Sequence, residues 1–570
     1  MKPQSAMKHL IGVGVGPGDP ELVTVKAVRV LREADVVLVP VLATREPGRA
    51  ETIIREYVPA DQIRRLEFAL NDTGGVTPRR AAAWQAAATA VAEEFAAGAA
   101  TVAFGTLGDP NLYSTFSYLA QTVRELVPGV TVETVAGITA MQDLASRAGL
   151  SLAEGTEPVT LVPLNGGVGA LDQALARGGT VVGYKVGAVA SPAPAVLRDR
   201  LQAAGRLEGA VIGARLGLED ELIAPAAELL RPTPAPAPPA SRQAPPRDPA
   251  SRHDPAPQSN IPDIPYLSTL IVPVSRPGRG ASLAQPPSAA ESANPERAEQ
   301  RDGTRPEGRV VFVGAGPGAP DLLTQRGARA IEDADIVIWA SSLVDHRMLA
   351  HASEHAEIVD SAQLPMEGVL PCYERAAREK LTVARVHSGD PSLWGAVQEQ
   401  LEQCRQLGLD TEIVPGVSSF TAVAATIQRE LTIPEVAQSV ILTRLGGGKT
   451  PMPPGERVRE FARHGTTMAL FLSAARSGQL QEELLQGGYP PDTPCVVAYQ
   501  VTWPDELIIH TTLDALAATI KERKLWKHTL VLVGPALAAT GSRSHLYHPG
   551  HFHGYRRADP QARRQLRDRS

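Results

Sequence analysis

Cysteine is nearly missing from this chain: there are three among 570 residues, Cys372, Cys404 and Cys495, none in a CxxC pair or beside a histidine at ligand spacing. That usage fits a reducing cytosol and supplies no structural zinc site. Long apolar runs are missing too. No stretch approaches the roughly 20 residues of a membrane helix, and the N-terminus passes within a few residues into a strand-like His9-Leu10-Ile11-Gly12 with no signal-peptide pattern. The expectation is a cytoplasmic protein with no membrane partner. An excess of positive charge is the third absence. The formal net charge of -6 weighs against a nucleic-acid partner, although local Arg and Lys could still hold a polyanionic substrate.

What the chain does contain is the same segment twice, about 300 positions apart. Gly14 to Thr24 reads GVGPGDPELVT, and Gly314 to Thr324 reads GAGPGAPDLLT. Each is followed by an Ala-Asp pair before a β-branched run, Ala34-Asp35-Val36-Val37 and Ala334-Asp335-Ile336-Val337. The period is far longer than any solenoid repeat, so the reading is two homologous domains in tandem. Their size, roughly 235 to 250 residues each, suits one core apiece.

Short Val/Ile-rich runs alternate with helical periodicity. Leu10–Val15, Val36–Val39, Thr101–Phe104, Val159–Val162, Thr180–Tyr184 and Ala210–Ala214 read as strands, and Arg79–Ala97 as a helix, which is an α/β signature. Residues 231–262 are too rich in proline and too poor in apolar side chains to pack. Beyond them Pro265–Pro273 reads as one more strand, matched near the other end by Lys527–Gly534. The Pro-rich stretch is therefore expected to be an insertion before the last strand of a first domain spanning 8–274. A flexible linker follows over 275–308, then a second domain over 309–556 and a basic tail over 557–570.

Each glycine turn first suggests a dinucleotide site, but Pro17 and Pro317 remove a donor, and Asp19-Pro20 and Ala319-Pro320 stand where a third glycine is needed. Gly446-Gly447-Gly448-Lys449-Thr450 resembles the end of a phosphate loop, yet Thr443 occupies the place of its first glycine. Two further elements recur in order. Leu107-Gly108-Asp109-Pro110 is answered by Ser388-Gly389-Asp390-Pro391, and Ala136-Gly137-Ile138-Thr139-Ala140 by Pro415-Gly416-Val417-Ser418-Ser419. A lone Gly-Asp-Pro is usually a turn. Three elements in the same order, twice, at strand ends that open helices, point to a ligand site in each half.

Gly-Pro-Gly, Ala-Asp before a strand, Gly-Asp-Pro and Pro-Gly-(Ile/Val)-(Thr/Ser) together resemble the tetrapyrrole methylase family, over nearly all of both halves. The first half is similar to members that methylate precorrin-2 at C20, through GDPNLYSTFSYL, Tyr184-Lys185-Val186-Gly187 and PYLSTLIV. The second is similar to members that methylate precorrin-4 at C11, through SGDPSLWGAVQEQ, VPGVSSFTAVAATIQRELTIPEV and LYHPGHFHGYR. The resemblance implies a tandem duplication of one α/β fold, each copy having two α/β lobes with S-adenosyl-L-methionine bound in the cleft between them. Carried over position by position, the cofactor contacts are Leu107, Gly108, Asp109, Leu112, Thr139, Ala140, Tyr184 and Leu216 in the first half. In the second half they are Ser388, Gly389, Asp390, Leu393, Ser418, Ser419, Leu472 and Val501. Gly16-Pro17-Gly18 and Gly316-Pro317-Gly318 are expected to face the tetrapyrrole.

Ala136 departs from the family's proline. Pro40 and Ala340 stand where some relatives have a polar candidate base, so no catalytic acid or base is carried over and no metal is implied. His545, His548, His551 and His553 read as an ordered C-terminal segment rather than a metal site. The resemblance implies one bifunctional enzyme of cobalamin synthesis acting on precorrin-2 and precorrin-4, self-associating as a homodimer or by pairing of its own halves. Two rivals stay open. One is another methylation substrate, such as ribosomal RNA or a modified histidine of an elongation factor; the other is a silent first half with only the second active.

Overall fold

The computed structural model describes residues 7–42, 47–68, 78–188, 191–231, 264–274, 308–434, 436–447, 452 and 455–538. The proline-rich insertion, the body of the linker, Gly448-Lys449-Thr450, the four C-terminal histidines and the basic tail lie outside these residues.

Each half begins with a five-stranded parallel sheet. In the first, β1 (His9–Gly14), β2 (Val36–Val41), β3 (Ile63–Glu67), β4 (Thr101–Thr106) and β5 (Thr131–Val135) take the order β3-β2-β4-β1-β5. The strands β11 (Arg309–Gly314), β12 (Ile336–Trp339), β13 (Glu357–Asp360), β14 (Thr382–His387) and β15 (Asp410–Val414) repeat it as β13-β12-β14-β11-β15. The central strands are apolar on both faces because helices cover both, as parallel sheets require. The repeated Ala-Asp pair has a structural use. Asp35 Oδ2 accepts from the amides of Ala100 and Thr101, each at 2.8 Å, and Asp335 Oδ2 from that of Thr382 at 2.8 Å, pinning the entry to β4 and β14.

The second lobes hold β6 (Val159–Pro163), β7 (Thr180–Tyr184), β8 (Val211–Ala214), β9 (Leu222–Pro225) and β10 (Ser268–Val272), then β16 (Val440–Arg444), β17 (Thr467–Phe471), β18 (Pro494–Tyr499), β19 (Leu507–Thr512) and β20 (Thr529–Val533). They form one ten-stranded sheet, β19-β18-β20-β17-β16-β6-β7-β10-β8-β9. The halves meet where β16 runs antiparallel to β6, with Val440 opposite Leu161 and Leu442 opposite Val159. β10 lies between β7 and β8, as β20 lies between β17 and β18. The strand after the proline-rich stretch thus completes the first half's sheet.

The pairing of the halves is a pseudo-twofold within one chain. Thr24 and Thr324 each cap a helix, accepting from the amides of Ala27 (3.1 Å) and Gly327 (3.0 Å). They also face each other across the axis, where Val25 N donates to Leu323 O at 2.9 Å and Gln325 N to Val23 O at 3.0 Å. A single core runs across this seam, with Ile138, Met141 and Leu144 of the first half in one cluster with Val417, Phe420 and Val423 of the second.

Candidate active site

Three glycine loops converge at the carboxyl ends of β1 and β4, and again at those of β11 and β14. A Cβ on Gly14 would lie 2.7 Å from both Gly108 O and Gly137 N, and one on Gly314 would lie 2.4 Å from Gly416 N. Only glycine permits that approach. Gly108 N donates to Gly16 O, and Gly389 N to Gly316 O, both at 2.8 Å, so each Gly-Pro-Gly turn is stitched to its Gly-Asp-Pro loop.

The aspartates hold these loops together. Asp109 accepts from the amides of Asn111 (2.8 Å) and Gly137 (3.0 Å), and Asp390 from those of Ser392 (2.9 Å) and Gly416 (3.1 Å). Burial pushes Asp109 up to about 7 and Asp390 up to about 6, with the amide donors opposing the rise. Both carboxylates are thus engaged by protein groups. At Gly389, by contrast, a Cβ would meet nothing within 4 Å, so the loop's main chain borders open space.

That space in the second half is a cavity of about 790 Å³ between the two lobes. Ser388, Gly389, Asp390, Leu393, Ser418, Ser419, Leu472 and Val501 all line it, and so does Pro317 of the glycine turn. Trp503 Nε1 donates to Pro317 O at 2.6 Å and Thr502 Oγ1 accepts from Ala319 N at 2.9 Å, fastening the turn to the opposite lobe. The rings of Trp394 and Phe471, with centroids 4.7 Å apart, form part of the wall. Leu472 is 66% exposed and Leu343 53%, and both line the cavity. Two wall atoms, His387 Nε2 and Trp394 Nε1, are buried with no hydrogen-bond partner. A cavity of this size, mostly apolar with a few unanswered polar groups, fits a nucleoside-sized ligand.

The first half repeats much of this frame. Leu107, Gly108, Asp109, Leu112, Thr139 and Ala140 occupy the places of Ser388, Gly389, Asp390, Leu393, Ser418 and Ser419, and Tyr113 and Tyr184 pair at 5.0 Å where Trp394 and Phe471 do. The sequence match sets Tyr184 beside Leu472, and here the backbone corrects it. Lys185 and Leu472 follow equivalent strands with left-handed φ of 62° and 50°, so Lys185 is the counterpart of Leu472 and Tyr184 that of Phe471. Leu216 and Val501 do correspond. A Cβ on Gly18 would fall 1.7 Å from Leu216 O, so the glycine turn of this half also reaches the opposite lobe.

Each Gly-Asp-Pro loop is braced by the other half. Leu152 N and Ala153 N donate to Ser392 O at 2.8 and 3.0 Å, and Trp394 N to Ala153 O at 2.8 Å. Reciprocally, Leu431 N donates to Asn111 O at 2.9 Å and Tyr113 N to Thr432 Oγ1 at 2.7 Å. The motifs did not reveal Arg385, His387, Trp503, Lys527 or His528, which also line the second cavity. Arg385 and His387 alternate along the strand that feeds the Gly-Asp-Pro loop, a signal that could have placed both on one face. Ala340 lines the cavity and offers no proton-transfer group.

The sequence profile described as Tetrapyrrole (Corrin/Porphyrin) Methylases matches residues 9–229 and 309–517. A cobalt-precorrin-4 C(11)-methyltransferase of Methanocaldococcus jannaschii is 41% identical over 251 residues, 44% of this chain and 96% of that protein. A precorrin-4 C(11)-methyltransferase of Pseudomonas aeruginosa is 42% identical over 248 residues, 43% of this chain and 98% of that one. Among solved structures, a cobalt precorrin-4 methyltransferase described as a cobalamin biosynthetic enzyme is 40% identical, covering 40% of this chain and 96% of its own, with a TM-score of 0.39.

Proposed function

Since the chain belongs to the tetrapyrrole methylase family, with both halves matched, we propose that it is a bifunctional C-methyltransferase of cobalamin biosynthesis that uses S-adenosyl-L-methionine in the cytoplasm. The second half methylates precorrin-4 at C11 to give precorrin-5, and the first methylates precorrin-2 at C20 to give precorrin-3A. The observation that carries the reading is the second half's cavity, bordered by three glycine loops and opened between two lobes. The C11 assignment is supported by two methyltransferases of that specificity, 41% and 42% identical along nearly their whole length. The C20 assignment rests on the first half's own motifs.

The cofactor supplies a methyl group on a positively charged sulfur, which is already a strong electrophile. The reduced tetrapyrrole offers an electron-rich carbon, so the work left to the protein is placement. Gly389, Ser418 and Val501 border the site from both lobes, and Trp394 and Phe471 keep water from one wall. Holding reacting atoms about 3 to 3.5 Å apart and in line can lower a barrier by roughly 7–11 kcal/mol. Pro40 and Ala340, at the strand ends, contribute no base.

The test is to incubate the full-length protein with methyl-labelled S-adenosylmethionine and either precorrin-2 or precorrin-4, and to weigh the products. One added methyl on each substrate supports the reading. Gain on precorrin-4 alone makes the first half a structural partner, and gain on neither overturns the assignment.

A further inference from the structure

In the second half, three positions that are plain core in the first have become polar. Strand register sets Arg385 in the place of Phe104, since Phe312 pairs with Arg385 as Gly12 pairs with Phe104. Gln400 stands as far beyond Gly389 as Leu119 does beyond Gly108, and Ser361 follows Asp360 as Leu66 follows Arg65 in the equivalent strand register. Phe104, Leu119 and Leu66 pack in one apolar cluster. The fold is therefore satisfied by an oily version of this site, and burying a guanidinium there is a cost that folding does not require.

The guanidinium is held but not neutralised. Arg385 Nε donates to Gln400 Oε1 at 3.1 Å and Nη1 to Ser361 Oγ at 2.7 Å; Tyr373 Oη donates to the same Gln400 oxygen at 2.8 Å. All of these partners are uncharged, and among the described residues Arg385 makes no ion pair. Two positions along the same strand, His387 is only 8% exposed, and its Nε2 lacks any partner. Both residues line the cavity.

The geometry points to a carboxylate-recognition site inside the second-half cleft, formed by Arg385 and His387 and oriented by Gln400 and Ser361. It rests on the reading of that cleft as a methyltransferase site, and it says which of its walls receives a ligand's negative charge. Two sources share that chemistry: an acidic side chain of the macrocycle, and the amino-acid end of the cofactor. The first half, with Phe104 and Thr106 at these places, has no such pair, so the two clefts select their ligands differently.

Binding to the full-length protein tests this with three probes: uroporphyrin, a stable polycarboxylate macrocycle; S-adenosylhomocysteine; and 5′-methylthioadenosine, which lacks the amino-acid carboxylate. Removing a charge-assisted contact in Arg385→Gln is expected to weaken the relevant probe about tenfold or more, with Arg385→Lys recovering part of the loss. Weakened uroporphyrin alone assigns the site to the macrocycle. Weakened S-adenosylhomocysteine with unchanged methylthioadenosine assigns it to the cofactor. The triple change R385F/Q400L/S361L copies the first half's apolar core, so it should stay folded and show the same loss. Wild-type affinity for every probe in both variants overturns the proposal. Wild-type protein that binds none of them overturns the reading of the cleft, and this inference with it.

Discussion

Gln142, a residue of the first half, donates from Nε2 to Asp390 Oδ2 at 3.0 Å and to Gly416 O at 2.7 Å, both in the second half's site loops. Its Oε1 accepts from Thr139 N at 3.0 Å and Thr139 Oγ1 at 2.9 Å, in the first half's own site. One buried amide thus ties the two clefts together. This contact has no mirror image across the pseudo-twofold. The counterpart of Gln142 is Thr421, whose hydroxyl reaches only Ser418 O, and among the described residues Asp109 receives no donor from across the seam.

Replacing Gln142 by Leu leaves Asp390 and Gly416 O short of a donor where water is excluded. A loss of about 1–3 kcal/mol of unfolding free energy is expected. Methyl transfer to precorrin-4 should fall although the substitution lies in the other half, and this fall is the informative part. Urea unfolding and the two product assays check it. An unchanged precorrin-4 rate would break the link between Gln142 and the second cleft.

A pH effect follows from Glu430, buried where the second half covers the first half's loop. It accepts from the hydroxyls of Ser117 and Thr432, and burial pushes it up to about 7 against the pull of those donors and of Lys185. Between its ordinary 4.5 and about 7 the folded protein holds a proton that the unfolded chain gives up. Stability from this residue therefore falls as pH rises through that window and is level above it, by an amount on the order of 3 kcal/mol. Glu430→Gln, which keeps one acceptor oxygen, turns an amide NH2 toward the other hydroxyl and does not titrate, should lose less stability than wild type between pH 5 and pH 8. Equal losses, read by urea midpoints at the two pH values, would exclude the assignment.

His387 has the opposite sign. Burial, aided by Arg385, lowers it to about 3, so the ring is neutral at physiological pH. Its contribution is complete above about 6.5 and is lost as pH falls toward 3. Substituting Phe should flatten the acid side of the stability curve, a change opposite in direction to that of Glu430→Gln.

Much of this architecture was legible because it is repeated. The duplicated Gly-Pro-Gly and Gly-Asp-Pro elements exposed loops whose glycines are required by backbone approach, and such a requirement is written directly into residue type, as at Gly314. Arg385 and His387 were not legible. Their alternation could have set both on one face of a strand, but only the cavity shows that this face meets a ligand site and not plain core. The one-residue slip between Tyr184 and Leu472 has a similar cause: the left-handed residue after each strand carries no common side chain, Lys185 in one half and Leu472 in the other. Whether the halves pair with each other or with a second copy was also beyond reach, because β6 and β16 are apolar runs like any buried strand.

Separating the halves tests how far that pairing is built into each copy. The helix Ser419–Thr426 buries Phe420, Thr421, Ala422, Val423 and Ala424, and packs in a cluster shared with first-half residues, while β16 gives its edge to β6. An isolated second half would expose that cluster and an unpaired strand edge. The pseudo-twofold offers a remedy, since a second copy can present its own β16 and its own Ser419–Thr426 helix. A second half expressed alone is therefore expected to sediment as a homodimer. In that dimer Thr421 stands where Gln142 stood and is too short to reach Asp390, so S-adenosylhomocysteine should bind more weakly than in the full chain, and Thr421→Gln should recover part of the difference. A monodisperse, folded monomer in sedimentation would show that the shared core is dispensable.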